Sequence, residues 1–390
     1  MKRWIAGAVS WLACLGLLAF PLGVNAAEMI KIGVTQPLTG AVAASGNYVA
    51  QGAKIAESFL NAKGGVLGKK VQLIIEDNKS NPVEAVATAE KLIVRDKAPV
   101  LMGAWSSTYT LAVMPKLMEY GVPMVVETSS SGKITTSGNP WIFRISPTSA
   151  MEAVAMAPHV KKFNVKKADF LSVNNDWGLG AVAEFSKMLQ KQGIQVGAKE
   201  TMDAKAQDLS AQLAKIKASG GDTLFLTTGV EQITLVLKQA KEQRLTHKII
   251  TTGGSSSPDQ LISQAGAAAE NSYHILFFAP WFPEAAPYPN IAKDFVVEWK
   301  KRGYNFAGLT EGFRGYDGVM TIAAAIQKAG KADPKAIQAA LWGVQVQGVN
   351  GPIKFFKEGP KGRESGQSQP NVFIVKVEGG KVTLPAFMKN

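Results

Sequence analysis

The chain has 390 residues, one cysteine, three histidines, and 43 basic against 30 acidic side chains for a formal net charge of +13. One cysteine excludes a disulfide framework and thiolate metal clusters. The basic residues are scattered, as in Lys54, Lys63, Lys91 and Lys116, without a run interleaved with aromatics, so no nucleic-acid partner is expected.

Residues 1–26 read as a cleaved signal peptide. Lys2 and Arg3 give a positive start, an apolar run extends from Trp4 to Leu22, and Val24-Asn25-Ala26 places small residues at minus three and minus one of a cleavage point. The apolar run is nearly long enough for an uncleaved anchor, but Pro21, Gly23 and the small-x-small step favour cleavage. Cys14 sits inside the run behind Trp11-Leu12-Ala13, so lipidation is not expected. Cleavage leaves 364 residues with 41 basic against 30 acidic side chains, no cysteine, and a length that implies two domains.

Past the leader, short apolar runs alternate with amphipathic stretches. Ile30-Lys31-Ile32-Gly33-Val34 is a predicted strand and Tyr48 to Ala62 a helix, its Val49, Ala53, Ala56, Phe59 and Leu60 falling on one face. Gly64-Gly65 ends that helix. Val71 to Ile75 is the next strand, Pro82 opens a helix, and Val100 to Met102, Thr108 to Tyr120 and Val122 to Val126 continue as strand, helix, strand. The rhythm restarts after Pro147: strands at Asp169 to Val173, Gln195 to Lys199, Thr223 to Thr227 and Lys248 to Thr252 enclose helices at Gly178 to Gln192, Leu209 to Ala218 and Ile233 to Gln243. A strand at Ile275 to Phe278, helices at Ile291 to Lys301, Gly315 to Ala329 and Pro334 to Leu341, and a β-like segment at Asn371 to Glu378 complete the chain. Strict alternation implies parallel sheets with right-handed crossovers.

Three chemistries find little support. Gly178-Leu179-Gly180-Ala181-Val182-Ala183 matches a dinucleotide fingerprint, but four residues separate it from the strand end at Val173, and Glu200 is the nearest candidate for the ribose acid. His159, His247 and His274 lie far apart with no carboxylate at metal spacing, and read as surface or loop histidines; no metal and no cofactor is expected. No serine stands in a G-x-S-x-G elbow, so a serine hydrolase is poorly supported.

The hydroxyl clusters instead point to binding. In open α/β sheets ligands sit beyond the carboxyl ends of strands, where helices offer free N–H groups. Gly103-Ala104-Trp105-Ser106-Ser107 follows the third strand and Glu127-Thr128-Ser129-Ser130 the fourth, together a cradle for a carboxylate. From the second unit, Asp176-Trp177, Thr228-Gly229-Val230 and Thr252-Gly253-Gly254-Ser255 occupy corresponding strand ends.

The ordered blocks Ile30 to Val34 with Pro37-Leu38-Thr39-Gly40, Asn61 to Lys70, Asp77 with Asn81-Pro82, Gly103 to Ser107, Gly121-Val122-Pro123, Asn139-Pro140 to Arg144 and Asp176 to Gly180 resemble the periplasmic leucine/isoleucine/valine-binding family. The resemblance runs from about Ile30 to the C-terminus. It implies a type I periplasmic binding protein: two doubly wound parallel-sheet lobes joined by three crossovers, one of residues 28–148 plus about 278–370, the other of 149–277 plus about 371–390. It also implies hinge closure on a small ligand, a periplasmic location and delivery to an inner-membrane ABC permease. By position in the motif, Ser107 corresponds to the serine that holds the ligand's carboxylate, Thr128 and Ser130 bracket the head group, and Trp177 stands where the family has a tyrosine.

Three departures bear on the ligand. Ser45 replaces the tyrosine after the first loop, Gly229 replaces the second-lobe tyrosine, and Gly253 stands at or near the glutamate that pairs with the ligand's ammonium. Burying an ammonium without a counter-charge is costly. Two readings follow: an amino acid or amide whose amine meets Asp176 or Glu231, or an amine-free aromatic or aliphatic acid flanked by Trp105 and Trp177, with Arg314 as a second cation.

Overall fold

The structure, a computed structural model, describes Met1 and residues 29–388; residues 2–26 of the expected leader, Cys14 included, lie outside the described residues. In chain order the elements are β1 (Ile30–Gln36), α1 (Ala43–Ala62), β2 (Val71–Asp77), α2 (Pro82–Glu90), β3 (Leu101–Met102), α3 (Ser107–Tyr120), β4 (Met124–Val126), α4 (Lys133–Thr136) and β5 (Ile142–Arg144). Then come α5 (Ser149–Met156), β6 (Lys167–Val173), α6 (Asp176–Lys191), β7 (Gln195–Met202), α7 (Ser210–Ser219), β8 (Thr223–Thr227), α8 (Val230–Glu242), β9 (Lys248–Thr251), α9 (Pro258–Ala265) and β10 (Tyr273–Leu276). The last stretch holds α10 (Pro289–Lys301), α11 (Leu309–Ala329), α12 (Pro334–Leu341), β11 (Val346–Gln347), β12 (Pro352–Ile353), β13 (Phe356–Glu358), β14 (Ser365–Gln367), β15 (Phe373–Glu378) and β16 (Lys381–Thr383).

Two seven-stranded sheets result, in the orders β13-β14-β5-β4-β3-β1-β2 and β16-β15-β10-β9-β8-β6-β7. The first five strands of each pair in parallel, and both share one order, with the reversal beside β1 or β6 that makes a binding crevice at the strands' carboxyl ends. The chain passes between sheets three times, after β5, after β10 and between β14 and β15. Doubly wound lobes and three crossovers are thus present as expected.

Local chemistry sets the helix starts that matter for the crevice. Asn81 accepts from the N–H groups of Val83 and Glu84 at 2.8 and 3.3 Å, with Pro82 at the first helical position. Asn175 accepts from Gly178 N–H at 3.0 Å and so starts α6 two residues earlier than its apolar periodicity suggests. The largest difference is α11, which begins at Leu309 and not at Gly315. Gly312 and Gly315 look like breakers but serve close packing: a Cβ on Gly315 would lie 1.9 Å from the Val49 carbonyl oxygen, and one on Gly52 1.7 Å from that of Gly312. The α1–α11 crossing therefore requires glycine on both helices.

The histidines also differ from expectation. His274 is fully buried between the Thr251 and Ser272 hydroxyls, both at 2.9 Å, and burial pushes its imidazole down to about 3. His247 is buried against Asp169 at 2.8 Å, and only His159, stacked on Phe387, is half-buried. Two of the three are hydrogen-bonded core residues.

Arg144, at the end of β5, is fully buried and donates four hydrogen bonds: to the carbonyls of Ser129 and Ser131 at 3.2 and 2.6 Å, to Thr135 Oγ1 at 2.8 Å and to Gln367 Oε1 at 2.6 Å. Burial pulls its guanidinium down to about 10, with Glu358 opposing. Replacing Arg144 by Met leaves these acceptors unpaired and should lower unfolding free energy by about 3 kcal/mol or more in urea titrations. Arg144→Lys should recover less than half, since one ammonium cannot reach a planar fork's partners; an unchanged midpoint in either variant would contradict the assignment.

Candidate functional site

Seven of the ten residues expected at the site, Trp105, Ser106, Ser107, Thr128, Ser130, Trp177 and Gly253, line one cavity of about 240 Å³, together with Ser129 and Ser255. The first-lobe wall is built from the β3–α3 and β4–α4 connections. Ser107 opens α3, where main-chain N–H groups are free of helical partners, and its Oγ accepts from Ser131 N–H at 3.1 Å. Ser106 occupies the N-cap without spending its hydroxyl on a capping bond. Ser129 donates its hydroxyl to the Trp105 carbonyl at 2.9 Å, fixing Trp105 at φ +68°, a conformation bulky residues rarely take and one that recurs at ligand clamps. Hydroxyls and N–H groups at a helix start suit an anionic oxygen pair.

From the second lobe, Trp177 projects from the first turn of α6 and is 9% exposed. Its indole explains Gly253: a Cβ there would lie 2.3 Å from the ring, and Gly253 has φ +85°. The acid expected from the family has no room at 253 because the indole stands where its side chain would begin.

The other three expected residues do not line this cavity. Asp176 accepts from Thr108 Oγ1 at 3.0 Å and pairs with Lys133 at 3.3 Å, tying α6 to the first lobe. Ser45 is buried within the first turn of α1, and Gly229 is the buried N-cap position of α8. Glu231, considered for an amine contact, is exposed on the first turn of α8.

Sequence reasoning placed Glu127 at the strand end beside the cavity but missed Glu311. Glu311, in the first turn of α11, is 1% exposed. Burial pushes its carboxyl up; Arg314 opposes this, as do Ser255 and Trp105, neither of which makes an aligned hydrogen bond to it, while Glu231 adds to the rise. Arg314, also 1% exposed, donates Nη2 to the Gly254 carbonyl across the lobes at 2.8 Å and lies 3.5 Å from Glu311, outside hydrogen-bond alignment. Glu127 accepts from Gln36 Nε2 at 2.8 Å, and burial raises its carboxyl too. Tyr48, on α1, has its phenol pushed up by burial and then by Glu231 and Glu311. Glu311 was hidden because Gly312 and Gly315 masked the start of α11; Leu309, Phe313, Tyr316 and Met320 at helical spacing were the available signal.

A model of the family described as periplasmic binding protein matches residues 29–381. The chain belongs to that family. Its members are solute-binding receptors of ABC transporters, not enzymes. This binding protein is 27% identical over 348 residues to the leucine-, isoleucine-, valine-, threonine- and alanine-binding protein of Pseudomonas aeruginosa, covering 89% of this chain and 91% of that one. The leucine binding protein LivK of Thermotoga maritima superposes with a TM-score of 0.80 at 28% identity, covering 92% and 98% of the two chains. A solute-binding protein of an ABC transporter from Rhodopseudomonas palustris, solved with 3,4-dihydroxybenzoic acid, gives a TM-score of 0.78 at 26% identity over 91% and 95%. Among the described residues, no helix of the binding protein is long and apolar enough to cross a membrane.

Glu152, fully buried on α5, accepts from Gly253 N–H at 2.7 Å and so holds the glycine turn beneath Trp177. Burial pushes its carboxyl up to about 7, with Gly253 and Arg314 opposing. Between its unfolded value near 4.5 and about 7 the folded protein keeps a proton that the unfolded chain has lost, so this group's contribution to stability falls as pH rises through that window and levels off above it. Glu152→Gln keeps an acceptor for Gly253 and removes the titration. Its stability relative to the parent should rise by roughly 3 kcal/mol between pH 4.5 and 8 in denaturant titrations; parallel pH profiles would show the group is not ionising.

Proposed function

We propose that the chain is exported to the periplasm through a cleaved leader and serves there as the receptor of an ABC-type uptake system. Its lobes close over a small carboxylate-bearing ligand and present it to the inner-membrane permease. The observation that carries this reading is the buried cradle of Ser106 and Ser107 at the start of α3 with Thr128 and Ser130 of the β4–α4 connection, facing Trp177 and Gly253 of the other lobe. Ser107 and the N–H groups of α3 meet the carboxylate, Thr128 and Ser130 bracket its head group, and the two tryptophans flank the body. Asp176, bonded to Thr108 and Lys133, latches the closed form. Relatives of comparable identity are named for branched-chain amino acids or solved with a hydroxylated benzoic acid, which supports a small carboxylate without choosing its body.

The second reading is an amine-free carboxylic acid. It is favoured by the Trp177 indole, which fills the space above Gly253 where the family's ammonium partner would start.

A thermal-shift screen of amino acids, aliphatic acids and aromatic acids should raise the melting temperature for at least one carboxylate, because a ligand that binds only the folded state stabilises it. Ser107→Ala should weaken that ligand by about tenfold or more, the worth of a charge-assisted hydrogen bond. Stabilisation by neutral sugars with no response to any carboxylate would refute the cradle assignment.

A further inference from the structure

Among the described residues, Trp105 Nε1, both carboxylate oxygens of Glu311, and Nε and Nη1 of Arg314 are buried beside the cavity without an aligned hydrogen bond, meeting one another only off-line, with Arg314 Nε 3.5 Å from Glu311. Such atoms are costly to bury and rarely left unpaired. They are also close together. Trp105 and Ser255 line the cavity and both face Glu311, which lies 3.5 Å from Arg314. We propose that Glu311, Arg314 and the Trp105 indole N–H form a second polar subsite, distinct from the hydroxyl cradle, for a neutral group that both donates and accepts hydrogen bonds: a hydroxyl or carboxamide on a carboxylate ligand. The proposal rests on the carboxylate reading above and adds what the ligand carries at its other end.

The class follows from matching donors to acceptors. An ammonium offers only donors, so it would serve Glu311 and leave the indole and guanidinium N–H groups unpaired beside a like charge. A second carboxylate offers only acceptors, so it would serve Arg314 and Trp105 and lie against Glu311 with repulsion. A hydroxyl or carboxamide supplies one of each and adds no charge to a site where Glu311 and Arg314 already offset one another. Water in the neighbouring cavity at the crossovers, about 350 Å³ and lined by Glu127, Ser146, Phe277, Arg314, Asp317 and Ser368 among others, would reach Arg314. Glu311 and Trp105 do not border that cavity, so such water does not account for them.

The test is calorimetric titration of the purified protein with two matched series. One is benzoate and its para-hydroxy, para-carbamoyl, para-aminomethyl and para-carboxy forms; the other is pentanoate with the same terminal groups. In the skeleton that fits, hydroxyl or carboxamide members should bind about tenfold or more tighter than the unsubstituted acid, with ammonium and second-carboxylate members no tighter than it. Glu311→Leu should shrink the ratio to within about twofold, whereas Ser107→Ala should weaken both members and keep the ratio. If Glu311→Leu does not fold, Glu311→Gln keeps the shape and should lower the ratio by about threefold or more. Tightest binding of the ammonium member, equal binding of all members, or a ratio unchanged in the Glu311 variants would overturn the subsite while leaving the cradle reading intact. Binding of benzamide or pentanamide with no carboxylate bound, lost in the Glu311 variants, would overturn the cradle and keep the subsite; no binding in either series would overturn both.

Discussion

Arg144 carries its charge inside the first lobe, and its burial is tolerated because acceptors from three segments surround it. Two are carbonyls of the β4–α4 connection, one is a hydroxyl of α4, and one is the Gln367 side chain on β14. With those carbonyls pinned inward, Ser131 N–H meets Ser107 and the Ser129 hydroxyl meets Thr110, both on α3. The cradle is thus a surface presented by a buried cation. The same guanidinium ties in β14, the strand just before the last crossover, so the polar wall and that crossover share one anchor. That explains why a strand as polar as Ser365–Gln367 is buried: its side chains satisfy the guanidinium and neighbouring carbonyls, with Gln367 Nε2 donating to the Ser146 carbonyl at 2.9 Å.

A second constraint sets the other end of the crevice. Glycines on α1 and α11 let the two helices approach almost backbone to backbone, which drives the first turns of α11 down to the lobe interface. Glu311 and Arg314 are carried there with them. Arg314 then spans the crevice to the Gly254 carbonyl, while its guanidinium lies over the Phe277 ring, centroid 5.2 Å away. Polar contacts therefore bridge the two units at both ends of the crevice, Asp176 to Thr108 and Lys133 at one and Arg314 to Gly254 at the other.

Much of this was legible in the sequence, for identifiable reasons. Strand–helix alternation and apolar periodicity are local properties, so the two doubly wound units could be read directly, and the hydroxyl clusters stood out because strand ends are where such folds bind. What stayed hidden depended on contacts distant in sequence. Gly312 and Gly315 looked like breaks until α1 supplied the backbone they accommodate, so Glu311 fell outside the predicted helix. His274 read as a loop residue until Thr251 and Ser272 closed around it. The departure at Gly253 was visible as a missing acid, but its cause, the Trp177 ring in that space, lies 76 residues away in the chain.

The account turns on a carboxylate held between the lobes. Denaturing the purified protein and identifying the released small molecule by mass spectrometry tests it most directly, since receptors with tight sites retain ligand through isolation. A carboxylic acid is expected in near-stoichiometric amount, and in a reduced amount when Ser107 is replaced by Ala. A neutral sugar or a polyamine released in that amount would contradict it.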